Sequence, residues 1–303
     1  MVIQWFPGHM TKALRSIEKE LKVVDVVIYA LDSRAPYSCQ NPKLNKVIGD
    51  KKIIYVLNKS DLVEESQLKV WIKYFTTDNS VAVSLNSTVS NSGKVIVNLI
   101  KKIMKPKVDA YKAKNINKVI RAMVVGVPNS GKSTLVNNLC GKARAMTGNR
   151  PGVTKGKQWL TIESGIEVLD MPGTLWPSFD DDNVAKNLAY IGSIKDDVLD
   201  INDLAFNLIA DFRQTQHQAL CQRYSIEIDD QDETIDIFEK ICFARKCVLK
   251  GNEPDWDRCA RLIIDDFRKG KFGKIILDDY KRYVWVWKQI QTPRQNSRCR
   301  RSR

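Results

Sequence analysis

Residues 126–133 read GVPNSGKS, directly after a β-branched, apolar run over residues 118–127. A strand that feeds a Gly-x-x-x-x-Gly-Lys-Ser loop opening a helix is built to hold phosphate. Successive backbone N–H groups surround the anion, and the helix N-terminus adds partial positive charge. Lys132 is the group for the β- and γ-phosphates and Ser133 the hydroxyl for Mg²⁺, with Asn129, Ser130, Gly131 and Thr134 completing the cradle. A turn that served only to cap a helix would leave Lys132 unexplained. Asp170 follows Gly126 by 44 residues, within VLDMPG at 168–173. Its carboxylate suits Mg²⁺, directly or through water, and the Gly173 N–H suits the γ-phosphate. Taken alone, Asp-x-x-Gly is a common strand-to-loop turn, and the spacing from the phosphate loop is what gives it weight. Between the two motifs, TGNRPGVTKGK at 147–157 is basic and Gly-containing, with Thr154 a second hydroxyl for the metal.

A further tetrad, Asn58, Lys59, Ser60 and Asp61, stands 68 residues before Gly126. A carboxylate there accepts from the guanine N1–H and exocyclic amine, donors that adenine does not offer in that arrangement. The stretch SLNS at 84–87 brings Asn86 and Ser87 into the loop after the next strand, where a segment closing over the base would sit. Base tetrad, base loop, phosphate loop and metal carboxylate follow the order of a nucleotide-binding sheet whose ends have been joined and whose chain has been cut elsewhere. The pocket survives such a permutation if the strands keep their neighbours.

Six strand signals must carry these loops, at residues 23–31, 52–57, 80–85, 118–127, 159–162 and 166–169. Helical segments at 42–48, 65–75 and 94–104 alternate with them, the pattern of βαβ units and a mostly parallel sheet in an α/β domain. After Gly192 the period changes to that of helices. The stripes are Leu204, Leu208, Ile209 and Phe212, then Ile235, Phe238, Ile241 and Cys242, then Cys259, Leu262, Ile263 and Phe267. Three amphipathic helices make a small all-α domain. The expected organisation is 1–195 for the nucleotide domain, 196–290 for the helical domain, and 291–303 for a basic, Arg- and Ser-rich disordered tail.

The 303 residues carry a net charge of +14, unevenly spread. Residues 1–195 hold 29 Lys and Arg against 16 Asp and Glu, residues 196–240 hold 3 against 12, and residues 241–303 hold 17 against 7. Two basic regions flanking an acidic one fit a protein that meets a polyanion with chosen faces, although a basic surface kept for solubility gives the same total. In DYKRYVWVWK, at 279–288, Lys281, Arg282 and Lys288 alternate with Tyr280, Tyr283, Trp285 and Trp287. Such aromatics stack on unpaired bases or, more often, close a helical core. The tail residues Arg294, Arg298, Arg300, Arg301 and Arg303 are the better phosphate contacts. Seven cysteines lack paired spacing and a nearby His cluster, which points to reduced thiols in a cytoplasmic protein rather than a zinc site. The N-terminal stretch MVIQWFPGHM has no leader pattern, and no run is long enough to span a bilayer.

Together WFPGHM at 5–10, DSRAP at 32–36, NKSD, PNSGKST, RPGVT and DMPGTLWP resemble the circularly permuted GTPases that assist ribosome assembly, specifically the bacterial group acting late in large-subunit maturation. The resemblance covers nearly the whole chain. It implies a P-loop GTPase fold with a permuted sheet, a helical extension contacting RNA, GTP and GDP as ligands, and Mg²⁺ as cofactor. The partners it implies are a large-subunit (50S) precursor and rRNA, with no membrane and a monomeric state. It also implies that His9 of PGHM takes part in catalysis beside Lys132 and Thr154, and Asn129 is typical of GTPases that bind K⁺ at the phosphates. His9 has a structural alternative, local hydrogen bonding while Trp5 and Phe6 anchor the N-terminus; Asn129 has another, shaping its turn. Thr174 departs from the family, which carries an apolar residue directly after the Gly. A signalling switch with the same pocket, or an RNA-binding protein with a vestigial one, are the rival readings. Intact Lys132, Ser133, Asp170 and Asp61 weigh against the second, and the lack of lipidation signals against the first.

Overall fold

The computed structural model describes residues 8–141, 158–176 and 179–283, with side chains from residue 12 and, in the second segment, from residue 159. Trp5, Phe6, Thr154, Trp285, Trp287, Lys288, the tail arginines and the His9 side chain lie outside this description.

Six strands form one sheet: β1 Val26–Asp32, β2 Lys52–Asn58, β3 Ser80–Ser84, β4 Ile120–Val125, β5 Gln158–Glu163 and β6 Ile166–Asp170. Their order is β3-β2-β1-β4-β6-β5, and all neighbours are parallel except β5 against β6. Parallel neighbours need crossovers, which α2 Pro42–Ile48, α3 Glu65–Phe75 and α4 Lys94–Lys112 supply. An N-terminal helix, α1 Gly8–Leu21, precedes the sheet, and α5 Lys132–Cys140 follows the phosphate loop. Every residue of β1 is buried, as expected of a strand covered on both faces. Val26, Ile28 and Ala30 pack with Ile96, Ile100, Leu135 and Val136 on one side, while Val27, Tyr29 and Leu31 point to the other, toward Leu44, Trp71 and Phe75.

The first strand begins at Val26 rather than at residue 23, because Val23 and Val24 complete the turn out of α1 by donating to Glu20 O and Leu21 O. Helix α4 runs on past residue 104 to Lys112 through Pro106; its buried stripe of Ile96, Val97, Ile100 and Met104 ends where the sequence expectation ended.

Beyond the sheet come α6 Asp182–Tyr190, α7 Ile201–Thr215, α8 His217–Tyr224, α9 Thr234–Ala244 and α10 Trp256–Arg268. The α7 stripe is buried as read from the sequence. In α9 the stripe differs by one residue: Ile235, in the first turn, is 45% exposed, and Ile237 takes its place inside. In α10 Leu262 is half-buried and Ile264 enters the core instead. One contiguous apolar cluster joins the Trp71 side of the sheet to α6–α10. Residues 275–283 return to the α/β part, with Ile275 N donating to Leu62 O at 3.0 Å and Leu277 N to Arg34 O at 2.7 Å. Tyr283 stacks on Tyr37 at 3.8 Å between centroids, and Tyr280 packs edge-on against Trp71, so these two aromatics close the core. No helix among the described residues is long and apolar enough to cross a membrane.

Candidate functional site

The register of the parallel strands brings their carboxyl ends to one edge, with Asp32 beside Asn58, Leu57 beside Ser84, and Val124 beside Asp170. Open α/β sheets bind ligands along that edge. The loop after β4 turns through Asn129 at φ 59° and Gly131 at φ 86° before α5 starts at Lys132. The buried Lys132 ammonium donates to Val127 O at 2.6 Å, and Ser130 Oγ donates to the same carbonyl at 3.0 Å. Burial pushes the Lys132 pKa down to about 8, against the pull of the Asp170 carboxylate. Gly173 lies so close to this loop that a Cβ on it would sit 2.8 Å from Lys132 Nζ and from Pro128 N. Thr174 N donates to Gly126 O at 3.2 Å, fastening the Asp-x-x-Gly segment to the phosphate loop.

Asp170 is 2% exposed, and burial raises its pKa while Lys132 opposes the shift. Ser133 Oγ donates to its Oδ2 at 3.4 Å, whereas Oδ1 is buried without a hydrogen-bond partner. A buried carboxylate oxygen lacking a donor, next to a hydroxyl, is the hard-oxygen pair that suits a small divalent cation. The buried Thr174 Oγ1 also lacks a partner. No group of three or more His, Cys, Asp or Glu side chains arranged for a metal occurs among the described residues. A Mg²⁺ ion held chiefly by phosphates needs none.

The base tetrad meets the phosphate loop directly. Asn58 Nδ2 donates to Ser130 O at 3.0 Å, and Asn58 Oδ1 accepts from Ser87 N at 3.0 Å and Ser87 Oγ at 2.8 Å. One side chain thus joins the tetrad, the base loop and the phosphate loop, although 72 residues separate Asn58 from Ser130. A Cβ on Gly131 would collide with Asn58 Nδ2, so the close approach as well as the positive φ requires glycine there. Lys59 adopts the left-handed conformation at φ 57°, followed by a 3₁₀ turn Ser60–Leu62 that leaves Asp61 exposed. Asn86 Oδ1 accepts from Thr88 N at 2.9 Å, shaping the base loop, and Thr134 is half-buried on α5. Asn129 Nδ2 donates to Gly192 O at 2.6 Å, an anchoring role distinct from the cation role suggested by the motif.

Sequence reasoning gave no role to Asp32 and Arg34 of the DSRAP stretch. The Lys59 ammonium pairs with Asp32 Oδ2 at 2.8 Å, and Arg34 grips the same carboxylate through Nε at 3.0 Å and Nη2 at 2.8 Å. Burial alone would raise the Asp32 pKa, but Arg34 and Lys59 hold it well below the usual carboxylate range. The available signal was an Asp-x-Arg directly after an apolar strand; its partners at 267 and 268 are too distant in sequence to be inferred.

A family model described as "50S ribosome-binding GTPase" matches residues 121–242. The match begins in β4, just before the phosphate loop, and leaves the base tetrad outside, as a permuted order requires. The chain is 40% identical over 279 residues to "Ribosome biogenesis GTPase A" of Bacillus cereus, covering 92% of this chain and 94% of that one. To the protein of the same name from Thermotoga maritima it is 30% identical over 276 residues, covering 90% and 93%. The crystal structure of GNP-bound YlqF from T. maritima superposes with a TM-score of 0.60 at 25% identity, covering 88% of this chain and 97% of that chain. With its motifs in permuted order along one sheet edge and relatives matched over nine-tenths of its length, the chain belongs to the ribosome biogenesis GTPase A family of GTP-hydrolysing P-loop enzymes.

Proposed function

We propose that the protein binds a precursor of the large ribosomal subunit and its rRNA in the GTP state, and leaves once GTP is hydrolysed. The observation that carries the nucleotide half of this reading is the Asn58 side chain, which ties the guanine-type tetrad to Ser130 of the phosphate loop at 3.0 Å. The relatives' names and the basic segments on either side of the acidic one support the ribosomal half. Asp61 receives the base, Lys59, Ser60, Asn86 and Ser87 line its loop, and Asn129, Ser130, Gly131, Lys132, Ser133 and Thr134 cradle the phosphates. Ser133 and Asp170 would hold Mg²⁺, consistent with the buried Asp170 oxygen that lacks a donor. An ion held by them would supply positive charge against the phosphates. Lys132 neutralises charge as the terminal phosphoryl group departs, and the Gly173 N–H tracks the γ-phosphate.

Co-sedimentation with large-subunit precursors tests the reading. Binding is expected with a non-hydrolysable GTP analogue and should be weak with GDP. Equal partition with the two nucleotides, or binding only to membranes or free protein, would refute it.

A further inference from the structure

Both ends of the nucleotide pocket are tied outward, and the two ties converge. At the base end, Lys59 holds Asp32, Asp32 holds Arg34, and Arg34 Nη1 donates to Phe267 O and Arg268 O, each at 3.2 Å. These carbonyls lie in the last turn of α10, at the negative end of its dipole, and Phe267 O also accepts from Gly270 N at 3.0 Å. The Arg34 guanidinium also lies over the Phe267 ring, 5.1 Å from its centroid. At the phosphate end, Asn129 Nδ2 donates to Gly192 O at 2.6 Å and Ser193 Oγ to Pro128 O at 2.7 Å. Residues 192 and 193 form the turn that closes α6. Arg268 completes the circuit: its Nε and Nη2 donate to Tyr190 O and Ala189 O at 3.1 and 3.0 Å, and Asp196 holds its guanidinium at 2.7 Å.

Asp32 and Arg34 are 0% and 2% exposed. A buried pair of this kind tolerates little displacement, because losing either partner leaves an uncompensated charge in the interior. A ligand that fixes Lys59 and Asn129 therefore also fixes the caps on α10 and α6. We infer that Asp32, Arg34 and Arg268 are positioning residues that couple occupancy of the guanine-nucleotide pocket to the docking of α6 and α10 on the sheet, each strengthening the other. Reciprocity is required of any such linkage. The inference rests on the pocket reading given under Proposed function.

Hydrogen exchange of the full-length chain with and without saturating GDP, together with GDP titration, tests it. GDP should slow exchange of the amides in 189–193 and 266–272 about fivefold or more. Arg268→Gln, which lies outside the pocket, should lose that GDP-dependent protection and bind GDP about fivefold more weakly. Asp196→Asn, on the exposed side of the same contact, should move both readouts in the same direction by less. Wild-type protein that binds GDP with no change in these amides would overturn the coupling while leaving the pocket reading intact, as would a folded Arg268→Gln that keeps both affinity and protection. If Arg268→Gln does not fold, Asp196→Asn decides in its place, and wild-type behaviour in both readouts overturns the coupling. Failure of the wild-type chain to bind GDP would instead remove the pocket reading, and the coupling with it.

Discussion

At the scale of single residues, the proposed reading gives guanine preference to Asp61, an exposed carboxylate in the turn after Asn58 and Lys59, which are tied to Ser130 and Asp32. Two charge-assisted hydrogen bonds at about 1.5–3 kcal/mol each are at stake. Asp61→Asn should therefore weaken GDP binding by roughly 100-fold or more while improving binding of xanthosine diphosphate, whose ring offers an acceptor to the new amide. Competition titrations read this directly, and an unchanged GDP-to-XDP ratio would remove Asp61 from the base site. Lys132 gives a pH signature. Its pKa in the ligand-free fold is about 8, and bound phosphates raise it by favouring the charged form. Below that pH the ammonium is charged before nucleotide arrives, so affinity is flat. Above it, binding must recruit a proton, and GDP affinity should fall toward tenfold per pH unit. Lys132→Arg, charged throughout, should show no such bend, and a wild-type profile without one would contradict the shift. The residues proposed to hold the nucleotide could be picked out in sequence because a phosphate cradle demands fixed types at short spacing. The role of Arg34 could not, since besides Asp32 its acceptors are backbone carbonyls 233 and 234 residues away, which carry no side-chain signature.

At the scale of elements, strands β2 and β6 and helices α2 and α3 lay where period and turn residues put them, whereas ends set by tertiary packing did not. Val23 is as apolar as Val26 but belongs to the turn from α1, and Ile235 matches the helical period yet is exposed, with Ile237 buried in its stead. The return segment at 275–283 had no periodic signal, and its anchor is a buried carboxylate. Asp278 accepts from Tyr37 N at 2.6 Å, Ser38 N at 3.0 Å, Ser38 Oγ at 2.5 Å and Asn187 Nδ2 at 3.0 Å. Burial pushes its pKa up to about 6, and these donors oppose the rise. With the folded value above the unfolded 3.8, the native state binds the extra proton, so this group's contribution to stability is greatest below about pH 4 and declines as pH rises to about 6. Asp278→Asn removes that dependence. The stability gap between wild type and variant should therefore shift in the variant's favour across this window, by up to about 3 kcal/mol. Parallel urea titrations at the two ends of the window measure it, and a constant gap would mean that the donors cancel the effect of burial.

At the scale of the whole molecule, the chain reads as two units by composition, but the apolar cluster on one face of the sheet continues into the helices that follow it, while a second cluster lies on the opposite face. The sequence places a boundary near residue 195, where strand patterns give way to helices, yet the buried cluster passes from Trp71 and Tyr29 through Leu188, Tyr190 and Ile194 to Leu208, Phe212 and Phe267 without a break. Composition could not reveal this, because an amphipathic stripe shows that a helix buries one face and not what covers it. The consequence is testable by cutting the chain after residue 195. The remaining fragment would expose Val184, Leu188, Tyr190, Ile191 and Ile194, each losing about 1.5–3 kcal/mol of burial. It would also leave the Arg34 guanidinium without the α10 carbonyls that take up one of its nitrogens. Those losses together match the whole stability of an ordinary domain, about 5–15 kcal/mol. Residues 1–195 alone should therefore aggregate or show no cooperative transition, whereas the full chain should unfold in one step, with tryptophan fluorescence and far-UV circular dichroism giving coincident curves. A soluble 1–195 fragment that melts sharply and binds GDP as tightly as the full chain would show that the helices stand on the sheet without supporting it.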